Sequence, residues 1–148
     1  MQTAHSQTFA RSDLGVRPAE LSDRPALVAI AAQTWDGEDY LPRVLDAWYA
    51  DPHGGFYVAT IEGQVVGVAK VTRLADAEWW LEGLRVRPGY EGNGIARILH
   101  HFALNQVRSL GSGVVRFSTA SDNAPIHMLA RETGFERVAR FVPYTAEA

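Results

Sequence analysis

The chain has 148 residues, with 14 basic against 17 acidic groups, a net charge of −3, 47% hydrophobic residues and 10% aromatic. That is enough apolar material for a packed core, which excludes global disorder, while the acidic balance argues against nucleic acid as a partner. Cysteine is absent, excluding disulfides, thiolate zinc sites and cysteine nucleophiles. No apolar run reaches the roughly 18 residues of a spanning helix, and the leading stretch lacks the apolar centre of a signal peptide. The expectation is a cytoplasmic protein with no membrane partner.

Residues 1–14 read as a flexible arm and 15–148 as one domain. Gly15-Val16-Arg17-Pro18 is a short extended piece. Ser22 or Asp23 then caps a helix with Pro25 in its first turn, carrying Leu27, Ile30 and Ala31 on one face and ending near Trp35-Asp36-Gly37. A second helix fits Leu41 to Ala50, and Asp51-Pro52-His53-Gly54-Gly55 stops it. The period then becomes two. Phe56 to Ile61, Gln64 to Thr72 and Glu78 to Val86 are strands joined by short turns, an antiparallel meander. Gly89 to Gly94 is a glycine-rich loop opening a helix with Ile95, Ile98, Leu99, Phe102, Ala103 and Val107 on one face. Val114 to Thr119 is a strand, Asn123 starts a helix ending at Thr133-Gly134, and Glu136 to Tyr144 is a last strand. The fold class is α+β, a mixed and mostly antiparallel sheet flanked by about four helices.

The strand-loop-helix unit from Leu84 to Arg97 carries the most chemistry. A helix start leaves backbone N–H groups without partners, and glycines let that backbone approach a bulky anion, so phosphate or pyrophosphate is a natural ligand. A simple corner is the alternative on the loop alone. No Gly-Lys-Ser or Gly-Lys-Thr occurs, and Arg97 stands where a dinucleotide fingerprint needs its third glycine or alanine.

Val86-Arg87-Pro88, followed by Glu91-Gly92-Asn93-Gly94-Ile95-Ala96, resembles the acetyl-CoA signature of the GNAT N-acetyltransferases. Asn123 followed by Gly134-Phe135 resembles a second motif of that family, and the element order matches from Val16 to Tyr144. The resemblance implies acetyl-CoA as co-substrate; no metal is expected, because no His, Asp or Glu cluster has metal-ligand spacing. Its pyrophosphate would lie against Glu91, Gly92, Asn93, Gly94, Ile95, Ala96 and Arg97. The pantetheine arm would lie along the backbone of Leu84, Arg85 and Val86, with Asn123 bonding the arm. Two positions depart from the family: Glu91 stands in place of Arg or Gln, and Ala130 replaces the Tyr that protonates the leaving thiolate. His127 and Tyr144 are the substitute donors, against plain readings as an exposed helix residue and a strand-packing residue.

Acetyl transfer to an amine needs a base. Glu82, in the apolar run Trp79 to Val86 and sharing strand parity with Leu84 and Val86, is the candidate; the competing role is an ion pair with Arg85 or Lys70. Trp79 and Trp80 point to opposite faces, one core and one a wall of the acceptor pocket. From Gln33 to Pro52, Asp36, Glu38, Asp39, Asp46 and Asp51 stand against Arg43 alone, an acidic roof suited to a cationic amine or simply a solvated face. Asp36, Asp39, Tyr40 and Trp80 are the substrate-binding candidates. Similarity around Asp39-Tyr40-Leu41-Pro42 and Trp80 to Val86 extends to the histidine N-acetyltransferase-like branch, which implies a small amine acceptor. His100 and His101 are adjacent on a helix and read as surface residues, not a metal pair.

Two functions follow: an acetyl-CoA-dependent N-acetyltransferase acting on a small amine, or an inactive acyl-CoA sensor on the same fold. With one strand after Gly134-Phe135, completion of the sheet by a second subunit makes a homodimer an open alternative.

Overall fold

A computed structural model describes residues 10–146. They fall into two compact units, one ending at Phe117 and the other beginning at Ser118.

The first unit is built on a five-stranded sheet in sequence order: β1 (Leu14–Pro18), β2 (Gly55–Ile61), β3 (Gln64–Ala75), β4 (Glu78–Val86) and β5 (Val114–Arg116). The first four are antiparallel neighbours, and β5 runs parallel to β4. Helices α1 (Arg24–Ala32) and α2 (Leu41–Ala50) cover one face, where Leu27, Ile30, Leu41, Leu45 and Trp48 meet Val58 and Val68. Helix α3 (Ile95–Leu110) covers the other, its Ile95 and Leu99 meeting Ala59, Val66 and Ala69. Each fully buried Leu, Ile or Val among them stabilises the fold by about 1.5–3 kcal/mol.

Local chemistry fixes the helix starts. Arg17 donates to both oxygens of Asp23 at 2.7 and 2.8 Å, and Asp23 also accepts the Glu20 N–H, fixing the turn into α1. Asp39 accepts the Leu41 N–H at 2.8 Å just ahead of α2. Pro25 and Pro42 occupy first-turn positions, where no N–H is missed.

The second unit contains α4 (Ala124–Glu132), whose Leu129 is buried. Phe135 N–H returns to the Ala130 carbonyl, ending the helix beside Gly134 at φ +82°.

Four expectations are corrected. Residues 1–9 of the expected arm lie outside the described residues, but Arg11–Asp13 form a 3₁₀ turn and Leu14 already belongs to β1. β5 stops at Arg116 instead of Thr119. Glu136 to Tyr144 forms no strand: Pro143 withdraws a ladder donor, no strand among the described residues pairs with the segment, and Val138, Phe141, Val142 and Tyr144 are exposed. His100, expected at the surface, is 6% exposed and lies edge-on to Phe117.

Candidate active site

Strand β4 is the axis of the site. Its register to β3 pairs Lys70 with Glu82 and Val68 with Arg85, so one extra β4 residue is accommodated opposite Ala69. That is a β-bulge, and Gly83 makes it with φ +74°. A Cβ on Gly83 would lie 2.4 Å from the Trp48 ring, so no other residue fits.

The bulge resets strand parity. Beyond it Leu84 and Val86 pack with Ile95 and Leu99 on the α3 face, while Arg85 turns to Asp39 on the α1/α2 face. Before it Trp80 and Glu82 pair with Thr72 and Lys70, and Lys70 reaches Asp51 at the end of α2. Glu82 therefore shares its face with Arg85, correcting the parity expected with Leu84 and Val86. Trp79 is the core tryptophan, its indole N–H bonded to the Ser112 carbonyl, and Trp80 stands half-buried on the Glu82 face.

Glu82 pairs with neither expected cation. The Thr72 hydroxyl donates to Glu82 Oε1 at 2.6 Å. Lys70, 1% exposed, is held by Asp51 and donates to the Val71 carbonyl at 2.8 Å. Burial works against the charge on Asp51, but Lys70 and the His53 and Gly54 amides outweigh it and hold the carboxyl below its ordinary value. Arg85 forms a two-pronged bond to Asp39, donating from Nε and Nη2 at 2.6 Å each, and Nη1 donates to the Gly83 carbonyl. Its guanidinium also lies 5.2 Å from the Trp35 ring centroid and 4.8 Å from that of Tyr40.

This changes the acidic roof. Asp39 is buried under Arg85, Asp46 bonds Arg24 and Asp51 bonds Lys70, so three of its five acids are matched by bases from outside the segment. Asp36 and Glu38 stay exposed. Trp35, Asp36 and Gly37 all take left-handed backbone angles, with φ +48°, +54° and +85°, which turns Trp35 outward to 61% exposure.

At the other end of β4 the sheet opens. β5 pairs only with Glu78, Trp79 and Trp80, leaving the edge from Leu81 to Val86 without a β5 ladder. The glycine loop follows that edge. Gly89, Gly92 and Gly94 have φ +91°, +77° and +79°, and Gly94 precedes the first turn of α3. Asn93 braces the loop by donating to the Tyr90 and Glu91 carbonyls. Glu91 turns its carboxylate back onto the loop, accepting the Gly89 N–H at 2.7 Å. Arg97 is exposed on the first turn of α3.

In the second unit, Asn123 precedes α4 and donates to the Thr119 hydroxyl at 3.0 Å. His127 Nε2 lies 3.0 Å from the Ala120 carbonyl oxygen. Tyr144 is 91% exposed and belongs to no strand, which removes its expected packing role.

Sequence reasoning missed the Gly83 bulge and Thr72. An isolated glycine inside a strand pattern is a bulge signal, so the first was available. Thr72 had no signal before the register was known. Among the described residues no group of three or more His, Asp or Glu is arranged to hold a metal, and no helix is long and apolar enough to cross a membrane.

Residues 24–135 match the acetyltransferase (GNAT) family. The chain is 31% identical over 121 residues to the N-alpha-acetyltransferase RimI of Mycobacterium tuberculosis, covering 79% of this chain and 75% of that protein. It is 30% identical over 104 residues to a histidine N-acetyltransferase of Oreochromis niloticus, covering 70% of this chain but 31% of that longer protein. The fold is similar to that of an aminoglycoside N-acetyltransferase, AAC(6')-Iy, solved in complex with CoA, with TM-score 0.72, 18% identity and coverage of 91% and 95%.

Proposed function

The chain belongs to the acetyltransferase (GNAT) family, and from that premise we propose that it transfers an acetyl group directly from acetyl-CoA to the primary amine of a small acceptor. The observation that carries this reading is the opening of the sheet beside the glycine loop. β5 leaves β4 after Trp80, and three left-handed glycines follow the freed edge at the start of α3.

These residues suit the group. A Cβ at Gly89 or Gly92 would meet nothing within 4 Å, so the loop backbone is accessible to a bulky anion, and the α3 N-terminus favours negative charge. Backbone groups from Glu91 to Ala96, with Arg97, would hold the pyrophosphate, and Leu84 to Val86 the pantetheine arm. Acetyl-CoA would supply the acetyl group as an activated thioester.

Glu82 accepts the proton that the ammonium must lose before its nitrogen can attack. Trp80, on the same face, walls the acceptor, and Tyr40 and Asp36 line the corner above. Asp39 acts through Arg85, whose guanidinium lies over Tyr40. The histidine N-acetyltransferase similarity supports a free amino acid or comparable small amine, and exposed Asp36 and Glu38 favour a cationic one.

Titration calorimetry with acetyl-CoA, followed by thiol release with L-histidine, spermidine, neamine and an N-terminal peptide, tests the reading. Binding with turnover on one of these amines is the expected result. The Glu91 carboxylate on the Gly89 N–H favours a second reading, an acyl-CoA sensor without turnover. Tight binding with no thiol release from any acceptor would select that reading, and no binding would remove both.

A further inference from the structure

Thr72 and Glu82 come from neighbouring antiparallel strands, brought together by the continuous register that pairs Lys70 with Glu82 and Thr72 with Trp80. On the α1/α2 face of β3 and β4, Lys70 and Thr72 stand opposite Glu82 and Trp80. Both cations that could have claimed Glu82 are engaged elsewhere, Lys70 by Asp51 and Arg85 by Asp39. The Thr72 hydroxyl bonds only one Glu82 oxygen, Oε1, at 2.6 Å.

Resting on the reading of Glu82 as the base, we infer that Thr72 is the positioning residue for that base: its hydroxyl fixes the Glu82 carboxylate through Oε1 and leaves Oε2 to take the proton of the acceptor ammonium. A glutamate has three side-chain torsions, and an untethered carboxylate spends part of its time turned from the acceptor. A strand threonine has one strongly restricted torsion, so it is a rigid anchor. An ion pair to Lys70 or Arg85 would hold the carboxylate more tightly and make it a poorer base. Their diversion to Asp51 and Asp39 is the other half of the same arrangement.

The test compares wild type with Thr72→Val, Thr72→Ser, Glu82→Gln and the Thr72→Val/Glu82→Gln double variant. Thiol release from acetyl-CoA is followed with L-histidine, spermidine and neamine as the acceptors, and acetyl-CoA affinity by calorimetry. Valine keeps the branched strand shape and removes the donor, so kcat falls roughly tenfold while acetyl-CoA affinity is unchanged, and serine restores most of the rate. In the Glu82→Gln background, Thr72→Val adds no further loss. Full activity in Glu82→Gln overturns the base itself and this inference with it. An inactive Glu82→Gln beside a Thr72→Val of wild-type kcat leaves the base standing and overturns the positioning role. Equal losses from Thr72→Val in both backgrounds, or a loss that serine does not restore, also overturn it. Absence of turnover on every acceptor removes the enzyme reading and the positioning role together.

Discussion

Arg85 grips Asp39 through two hydrogen bonds of 2.6 Å, and both side chains are almost wholly buried. The pair ties β4, two residues beyond its bulge, to the turn that starts α2. Removing one partner strands the other charge without water, which costs about 3–5 kcal/mol. Arg85→Ala is therefore expected to lower the urea midpoint severely. Arg85→Lys recovers only part of the loss, because an ammonium cannot reproduce the planar fork. A midpoint unchanged in Arg85→Ala would show that the pair contributes nothing.

Gly83→Ala tests the bulge. A left-handed angle costs an L-residue about 1–2 kcal/mol, and the Cβ would press on Trp48 at 2.4 Å. The expected outcome is a lower melting temperature together with reduced turnover, since removing the bulge returns Glu82 to the wrong parity with Arg85. Normal stability and normal thiol release would sink the argument.

The Glu91 carboxylate competes with any anion for the Gly89 N–H. Glu91→Gln removes the charge and is expected to tighten acetyl-CoA binding by about two- to fivefold at low salt. The gain should shrink as ionic strength rises. Calorimetry at two salt concentrations checks both statements, and equal affinities in wild type and variant would contradict the first.

His100 gives the stability a specific pH dependence. Burial, and to a lesser extent the charge of His101, push its imidazole down to about 4. Below its ordinary value near 6.5, the unfolded chain binds a proton that the folded chain refuses, so stability falls as pH drops from 6.5 toward 4. The loss accumulates to about 3 kcal/mol at the low end of that window. In His100→Leu this slope disappears between those two pH values while neutral-pH stability is kept. Parallel stability curves for wild type and variant would refute it.

Much of the fold could be read from local pattern. α2 runs from Leu41 to Ala50 and β4 from Glu78 to Val86, as their periods of 3.6 and two imply. Proline and glycine punctuation sets those limits within a few residues, so tertiary contacts had little to change. The glycine loop was equally legible, because left-handed backbone at Gly89, Gly92 and Gly94 is a property of the residue type itself.

Charge and strand pairing were not legible in that way. The acidic stretch from Gln33 to Pro52 counts five carboxylates, yet Arg24, Lys70 and Arg85 come from elsewhere in the chain to take three of them. The period of two assigned Glu82 to the face of Leu84 and Val86, and one left-handed residue at Gly83 moved it to the face of Arg85. Glu136 to Tyr144 has the apolar content of a strand and forms none, since a strand exists only where another supplies its ladder. By itself the sequence determined the limits of α2, β4 and the glycine loop, because these depend on residues a few positions apart. Which carboxylates stay exposed, and which hydroxyl meets Glu82, was decided by the tertiary structure alone, because both depend on side chains brought together from separate elements.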